Sequence, residues 1–169
     1  MDRVTKLKRI HRGDDGYTDL GEARVWKGSA AIELLGTIDE LVASIGLAKC
    51  FLPTNLAELA TEIQSQLMSI CAAIATGRYE SVKQLTSRIE EETKRLWETN
   101  KLSFHFVKPG PPPGAAALHL ARTICRRAER WAWRAAAEGA IPRDVAIALN
   151  RVSDLLYTMS LVVEKEGRE

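Results

Sequence analysis

The chain has 169 residues, 46% hydrophobic and 27% charged, with a formal net charge of +2. That length suffices for one domain with a core that needs no metal or disulfide staple, and the composition excludes a disordered chain. So small a charge argues against nucleic acid, no run approaches the ~20 apolar residues of a membrane helix, and Met1-Asp2-Arg3-Val4-Thr5-Lys6 lacks the apolar centre of a signal peptide, so no membrane partner and a cytoplasmic location are expected.

Residues 1–28 carry glycines and alternating charges without a helical period, and read as an extended or looped arm. In the first twelve positions Arg3, Lys6, Lys8, Arg9 and Arg12 face only Asp2, a basic stretch that could meet phosphates or lie solvated. Ser29 is placed as an N-cap, and Ile32, Leu35, Ile38, Leu41, Val42 and Ile45 then form the apolar face of a first helix ending near Leu52-Pro53. A second helix from about Asn55 to Gly77 carries Leu56, Leu59, Ile63, Leu67, Ile70 and Ile74. The third, from about Glu80 to Asn100, is the most charged, with Val82, Leu85, Ile89 and Leu96 inward, and is expected on the outside.

Lys108-Pro109-Gly110-Pro111-Pro112-Pro113-Gly114 is a stiff connector, because proline removes backbone donors and clashes with a preceding turn. A fourth helix follows over roughly 115–137. A fifth covers roughly 143–165, where Val145, Leu149, Val152, Leu156, Met159 and Val163 alternate at spacings of four and three, the period of a bundle seam. Five long helices with short connections predict an all-α, antiparallel five-helix bundle over 29–169. Cys50, Cys71 and Cys125, odd in number and widely spaced, read as buried reduced thiols.

On the fourth helix Arg122, Arg126, Glu129, Arg130 and Trp133 share one polar stripe, while Leu120, Ile124, Ala128, Trp131 and Ala135 share an apolar one. Intrahelical pairing on a solvated face could account for part of the stripe. Yet Arg122, Arg126, Arg127, Arg130 and Arg134 have only Glu129 and Glu138 nearby, and the guanidinium fork suits bidentate phosphate contacts. Asn150, within the seam of the fifth helix, needs a partner there or on a ligand. Gly13-Asp14-Asp15-Gly16-Tyr17-Thr18 either curls its N–H groups toward an anion beside Arg12 or is a plain turn. Asp39, directed between Ile32 and Leu35, is expected on the apolar face and paired with Arg122 or Arg126, as an ion pair that fixes packing or as part of a site. None of His11, His105 and His119 follows a glutamate by three positions, so a ferritin-like di-metal site is not expected, nor is a protein nucleophile evident.

Taken in order, Gly13-Asp14-Asp15-Gly16, Arg24-Val25-Trp26-Lys27, Gly36-Thr37-Ile38-Asp39-Glu40-Leu41, Phe106-Val107-Lys108-Pro109-Gly110, Ala117-Leu118-His119-Leu120-Ala121-Arg122, Cys125-Arg126-Arg127-Ala128-Glu129-Arg130 and Leu149-Asn150-Arg151-Val152-Ser153-Asp154-Leu155-Leu156 resemble the PduO-type ATP:cob(I)alamin adenosyltransferases along nearly the whole chain. The resemblance implies a cobalamin adenosyltransferase-like bundle forming a homotrimer, with ATP between the arm of one subunit and the fourth helix of a neighbour. It implies that Arg12, Gly13, Thr18 and Lys27 hold the triphosphate from the arm, and that Arg126, Arg127, Glu129, Arg130 and Asn150 complete the nucleotide site. Arg126 and Phe106 are the implied catalytic residues, Phe106 keeping the dimethylbenzimidazole base off cobalt, and Asp39 pairs with Arg122. Magnesium rides on the ATP phosphates without a protein ligand, and a reductase and an adenosylcobalamin-dependent mutase are implied partners. The alternative is a non-catalytic ATP- or adenosylcobalamin-binding sensor or delivery protein of the same fold. Arg12 stands where relatives usually carry threonine, the loop before Lys27 is shorter, Val42-Ala43 replaces the common Asn-Ser, and Pro111-Pro112-Pro113 stiffens a connector that is usually glycine-rich.

Overall fold

A computed structural model describes residues 13–167. Two short strands, β1 (Tyr17–Leu20) and β2 (Ala23–Trp26), precede α1 (Ala30–Lys49), α2 (Thr54–Thr76), α3 (Val82–Thr99), α4 (Pro113–Ala137) and α5 (Arg143–Glu166). The five helices are those expected. Pro113 sits in the first turn of α4, where a missing N–H is no loss, and this moves the start ahead of residue 115.

The core follows from α5. Val145, Leu149, Val152, Leu156, Met159 and Val163 are all buried, and α4 packs most extensively on α5 and next on α1. α5 is apolar over a length that could cross a membrane, but 72% of its apolar window is covered by the rest of the fold. α3 lies against α5 through Val82, Leu85, Ile89 and Leu96, and its charged remainder faces outward.

The face of α1 is displaced from its expected line. Leu34, Ile38, Leu41, Ile45 and Ala48 are the most enclosed, whereas Ile32, Leu35 and Val42 lie at the rim. Asp39, one step past Ile38, is therefore exposed like Glu40 rather than buried. Ser29 does precede α1, but its hydroxyl makes no capping bond and is buried without a partner. Leu120 of α4 is likewise exposed, and of the three thiols only Cys125 is fully buried, Cys50 being exposed and Cys71 half-buried.

The described part of the arm is a β-hairpin rather than an irregular segment. Tyr17 pairs with Trp26, Thr18 with Val25, Asp19 with Arg24 and Leu20 with Ala23, and Gly21-Glu22 make a two-residue turn. Leu20 packs against the core, and Gly21 lies against the Ala75 carbonyl of α2.

Candidate functional site

The Gly13 segment is a closed turn. The Gly16 amide donates to the Gly13 carbonyl at 3.2 Å, the Lys27 amide donates to the Gly16 carbonyl at 2.9 Å, and the Asp15 carboxylate accepts from the Tyr17 amide at 3.1 Å. Asp15 also holds the Arg24 guanidinium at 2.8 and 2.7 Å, which keeps its carboxyl below the usual carboxylate range, chiefly through that side-chain hydrogen bond. Lys27 turns back so that its Nζ donates to the Gly13 carbonyl at 2.6 Å. Gly16 has a φ of +83°, and a Cβ there would lie 2.4 Å from the Trp26 ring. Thr18 is half-buried in β1, opposite Val25. Arg12 lies outside the described residues.

Lys27 opens onto a cleft of about 470 Å³ whose other walls are Ile32, Glu33, Gly36, Thr37 and Glu40 of α1 and Arg127 and Trp131 of α4. Arg127 is ion-paired with Glu40 across it. Both side chains are half-exposed, so the pair contributes at most about 1 kcal/mol.

One residue before Arg127, and so about 100° around α4, Arg126 falls on another face. It is exposed beside a second hollow of about 240 Å³ enclosed by Phe104, His105, Phe106 and Val107 of the 100–112 loop, Arg122 and Arg126 of α4, and Ser153, Asp154 and Tyr157 of α5. The Asp154 carboxyl is raised above its usual range, by desolvation first, while Arg151 and Arg126 pull it back. On the same side Asn150 donates to Glu129 at 3.3 Å, Trp133 donates to that carboxylate at 3.4 Å, and Arg130 donates to the Arg126 carbonyl at 3.1 Å. Glu129 is thus engaged by neutral donors and forms no ion pair with Arg126 or Arg130 among the described residues.

The structure brings Arg126, Glu129, Arg130 and Asn150 together, and separately gathers Gly13, Lys27 and Arg127. No described hollow contains both sets. Asp39 does not join Arg122 within the chain: it lies toward α2, where it adds to the desolvation that pushes the Cys71 thiol up to about 11. Arg122 instead faces the aromatic loop, its Nε buried without a hydrogen-bond partner among the described residues.

Beneath that loop lies a polar layer that the sequence reading did not assign. His119 is 2% exposed, and its Nε2 lies 3.3 Å from the Glu164 carboxylate, itself 6% exposed. Desolvation, the largest influence, lowers the His119 pKa, with Arg122 acting in the same direction and Glu164 opposing it. His119 is therefore the neutral ring at pH 7, donating to Glu164. Tyr157 packs beside it, ring centroids 6.3 Å apart, and its hydroxyl donates to the His105 carbonyl at 2.6 Å. A carboxylate within the apolar run Leu161-Val162-Val163-Glu164, seven residues after a tyrosine, was the available signal.

One hollow beside a glycine-bearing hairpin sets Lys27 and Arg127 against Glu33 and Glu40, and a second, roofed by aromatic rings, sets Arg122 and Arg126 against Asp154; together they define a class of helical bundle that offers guanidinium groups next to an apolar surface. The family description "Cobalamin adenosyltransferase" matches residues 9–163. A corrinoid adenosyltransferase of Mycobacterium tuberculosis is 36% identical over 178 aligned positions, covering 95% of this chain and 91% of the relative. One of Bacillus subtilis is 39% identical over 165, covering 89% and 83%. Among solved structures, a phenylalanine-to-alanine variant of the PduO-type ATP:corrinoid adenosyltransferase of Lactobacillus reuteri, complexed with cobalamin and ATP, superposes with a TM-score of 0.80 at 28% identity over 92% of this chain and 93% of that one. An arginine-to-lysine variant complexed with ATP gives 0.82 at the same identity. The chain belongs to the cobalamin adenosyltransferase family.

Proposed function

We propose that this chain transfers the 5′-deoxyadenosyl group of ATP to cob(I)alamin, forming adenosylcobalamin and releasing triphosphate. The observation that carries the reading is the juxtaposition of exposed Arg126, which forms no ion pair among the described residues, with the exposed ring of Phe106 at one hollow, in a chain that matches corrinoid adenosyltransferases over nearly its whole length. Cob(I)alamin supplies the electron pair. A cobalt–carbon bond forms at C5′ as the C5′–O bond breaks, and the pair in that bond leaves with the triphosphate. The protein needs no base of its own; it aligns C5′ over cobalt and stabilises the departing charge.

Residues 1–28 serve as the nucleotide-binding arm and 29–169 as the bundle of one adenosyltransferase domain. Gly13, Thr18 and Lys27, with Arg12, hold the triphosphate from the arm, joined by Arg127 once it leaves Glu40. Arg126, Arg130, Glu129 and Asn150 complete the nucleotide site on a neighbouring subunit, which makes a homotrimer the working form. Exposed Asp39 and the unpartnered Arg122 then meet across subunits rather than within one. Magnesium is carried by the phosphate oxygens and shares their charge, as it commonly does in nucleotide sites. Phe106 fills the space below cobalt and excludes the lower axial ligand, which makes Co(II) easier to reduce because axial ligation is a main lever on a metal's potential. The protein works in the cytoplasm, receives its electron from a reductase and passes its product to a mutase. Single-turnover mixing of Mg-ATP with chemically reduced cobalamin tests the reading: stoichiometric adenosylcobalamin and triphosphate are expected, and neither would form on a sensor or delivery protein.

A further inference from the structure

Phe106 is 99% exposed, so no packing of its own holds the ring where it must act. Among the described residues its one ring neighbour is Phe104, at 6.2 Å, and Phe104 in turn lies 5.8 Å from Tyr157. The Tyr157 hydroxyl donates at 2.6 Å to the His105 carbonyl, which belongs to the peptide group whose nitrogen is that of Phe106. Both attachments of Phe106 therefore converge on one residue. Because a peptide group is planar, holding its oxygen fixes the plane from which the Phe106 side chain departs. Tyr157 is seated on the rigid α5 and backed by buried His119, whereas the loop has no helix or strand of its own from Leu102 to Gly110.

We propose that Tyr157 is the positioning residue for Phe106, its hydroxyl clamping the His105–Phe106 peptide and its ring carrying Phe104, and that this clamp sets how completely the lower face of bound Co(II) corrinoid is cleared. The inference rests on the adenosyl-transfer reading. Tyr157 touches the loop through its tip and the core through its body, a division suited to an amphipathic side chain that must hold a loop without regular structure in register.

The test is Tyr157→Phe, which deletes the hydroxyl and keeps the ring. Purified protein, cob(II)alamin and Mg-ATP are combined, and the ratio of four- to five-coordinate Co(II) is read by electron paramagnetic resonance. The ratio is expected to fall about two- to twelvefold, the population factor of one neutral hydrogen bond, while KM for ATP and the thermal shift with Mg-ATP stay at wild-type values and kcat falls with the ratio. Phe104→Leu, a change on the exposed loop that breaks the ring contacts to Phe106 and Tyr157 and leaves the Tyr157 hydroxyl bond in place, is expected to lower the ratio as well and reports even if Tyr157→Phe misfolds. A wild-type ratio in Tyr157→Phe, or in Phe104→Leu should the first variant not fold, overturns this inference alone. Absence of the four-coordinate signal from the wild type overturns the functional reading and the inference with it.

Discussion

Gly16→Ala separates the arm's role from the bundle's stability. Gly16 has a φ of +83°, and an L side chain there costs roughly 1–2 kcal/mol. Its Cβ would also sit 2.4 Å from the Trp26 ring, which is half-exposed and can swing away, so the backbone strain dominates. An isolated two-stranded hairpin is only marginally stable in water, so 1–2 kcal/mol is comparable to its whole local stability. The free arm then opens, and ATP must pay to close it. By mass action the apparent Kd for Mg-ATP rises by up to about five- to thirtyfold, while the midpoint of thermal unfolding, set by the five helices, moves little. Gly139→Ala is the matched control. Its φ of +75° imposes the same strain in the turn between α4 and α5, with open space for the methyl group. There the strain falls on the bundle, lowering Tm by about 2–8 °C without changing Kd. Calorimetric titration and thermal scans of both variants check the pair. A Gly16→Ala Kd within twofold of wild type would refute the argument that the hairpin conformation is the ATP-binding one.

Two further outcomes follow from the helix faces. Arg126→Ala is expected to abolish measurable Mg-ATP binding with an unchanged far-ultraviolet spectrum, because its exposed side chain forms no ion pair among the described residues and its loss leaves no buried partner; a normal Kd by titration would contradict its assigned role. His119 gives a pH dependence. Its folded pKa is depressed below its unfolded value of 6.5, so folding is unpenalised above that value, and stability is lost as pH falls from 6.5 toward the folded pKa, where only the unfolded chain binds the proton. The groups facing it are Glu164, Arg122 and Tyr157, and His119→Gln, which cannot titrate, is expected to flatten the fall in Tm as pH drops below 6.5. An equally steep fall in that variant would assign the proton elsewhere.

The helices were legible because each carries a period that survives any choice of neighbours, most clearly in α5 from Val145 to Val163. The direction of Asp39 was not, because a broad stripe from Ile32 to Ile45 leaves its centre undefined by about one residue, and one residue is about 100° of helix. Packing put the centre on Leu34, Ile38 and Leu41, and Asp39 fell outside it. The hairpin was hidden by size: Tyr17–Leu20 and Ala23–Trp26 are four residues each with one half-buried face, too short for alternation to stand out beside Gly21-Glu22. For the site, the arginine excess was readable from composition along one helix. The Tyr157–His105 bond was not, since it joins positions 52 residues apart through a loop whose course no local pattern sets.

Neighbours in sequence, Arg126 and Arg127 point about 100° apart, and they open onto different hollows. Lys27 belongs with Arg127, whereas Phe106 and Asn150 lie on the side of Arg126. On the proposed reading, a nucleotide held by both the arm and Arg126 bridges two copies of the chain, and this can be tested without a structure of the assembly. Lys27→Ala disables the arm half of a site and Arg126→Ala the facing half, so each homogeneous protein is expected to be inactive. In a ring closed by heterologous contacts, random exchange of equal amounts yields about one quarter of interfaces with an intact arm against an intact face. Mixing the two under conditions of subunit exchange should restore about a quarter of wild-type adenosylcobalamin formation. If arm and face served the same nucleotide within one chain, every site in the mixture would still carry one lesion, and no activity would return.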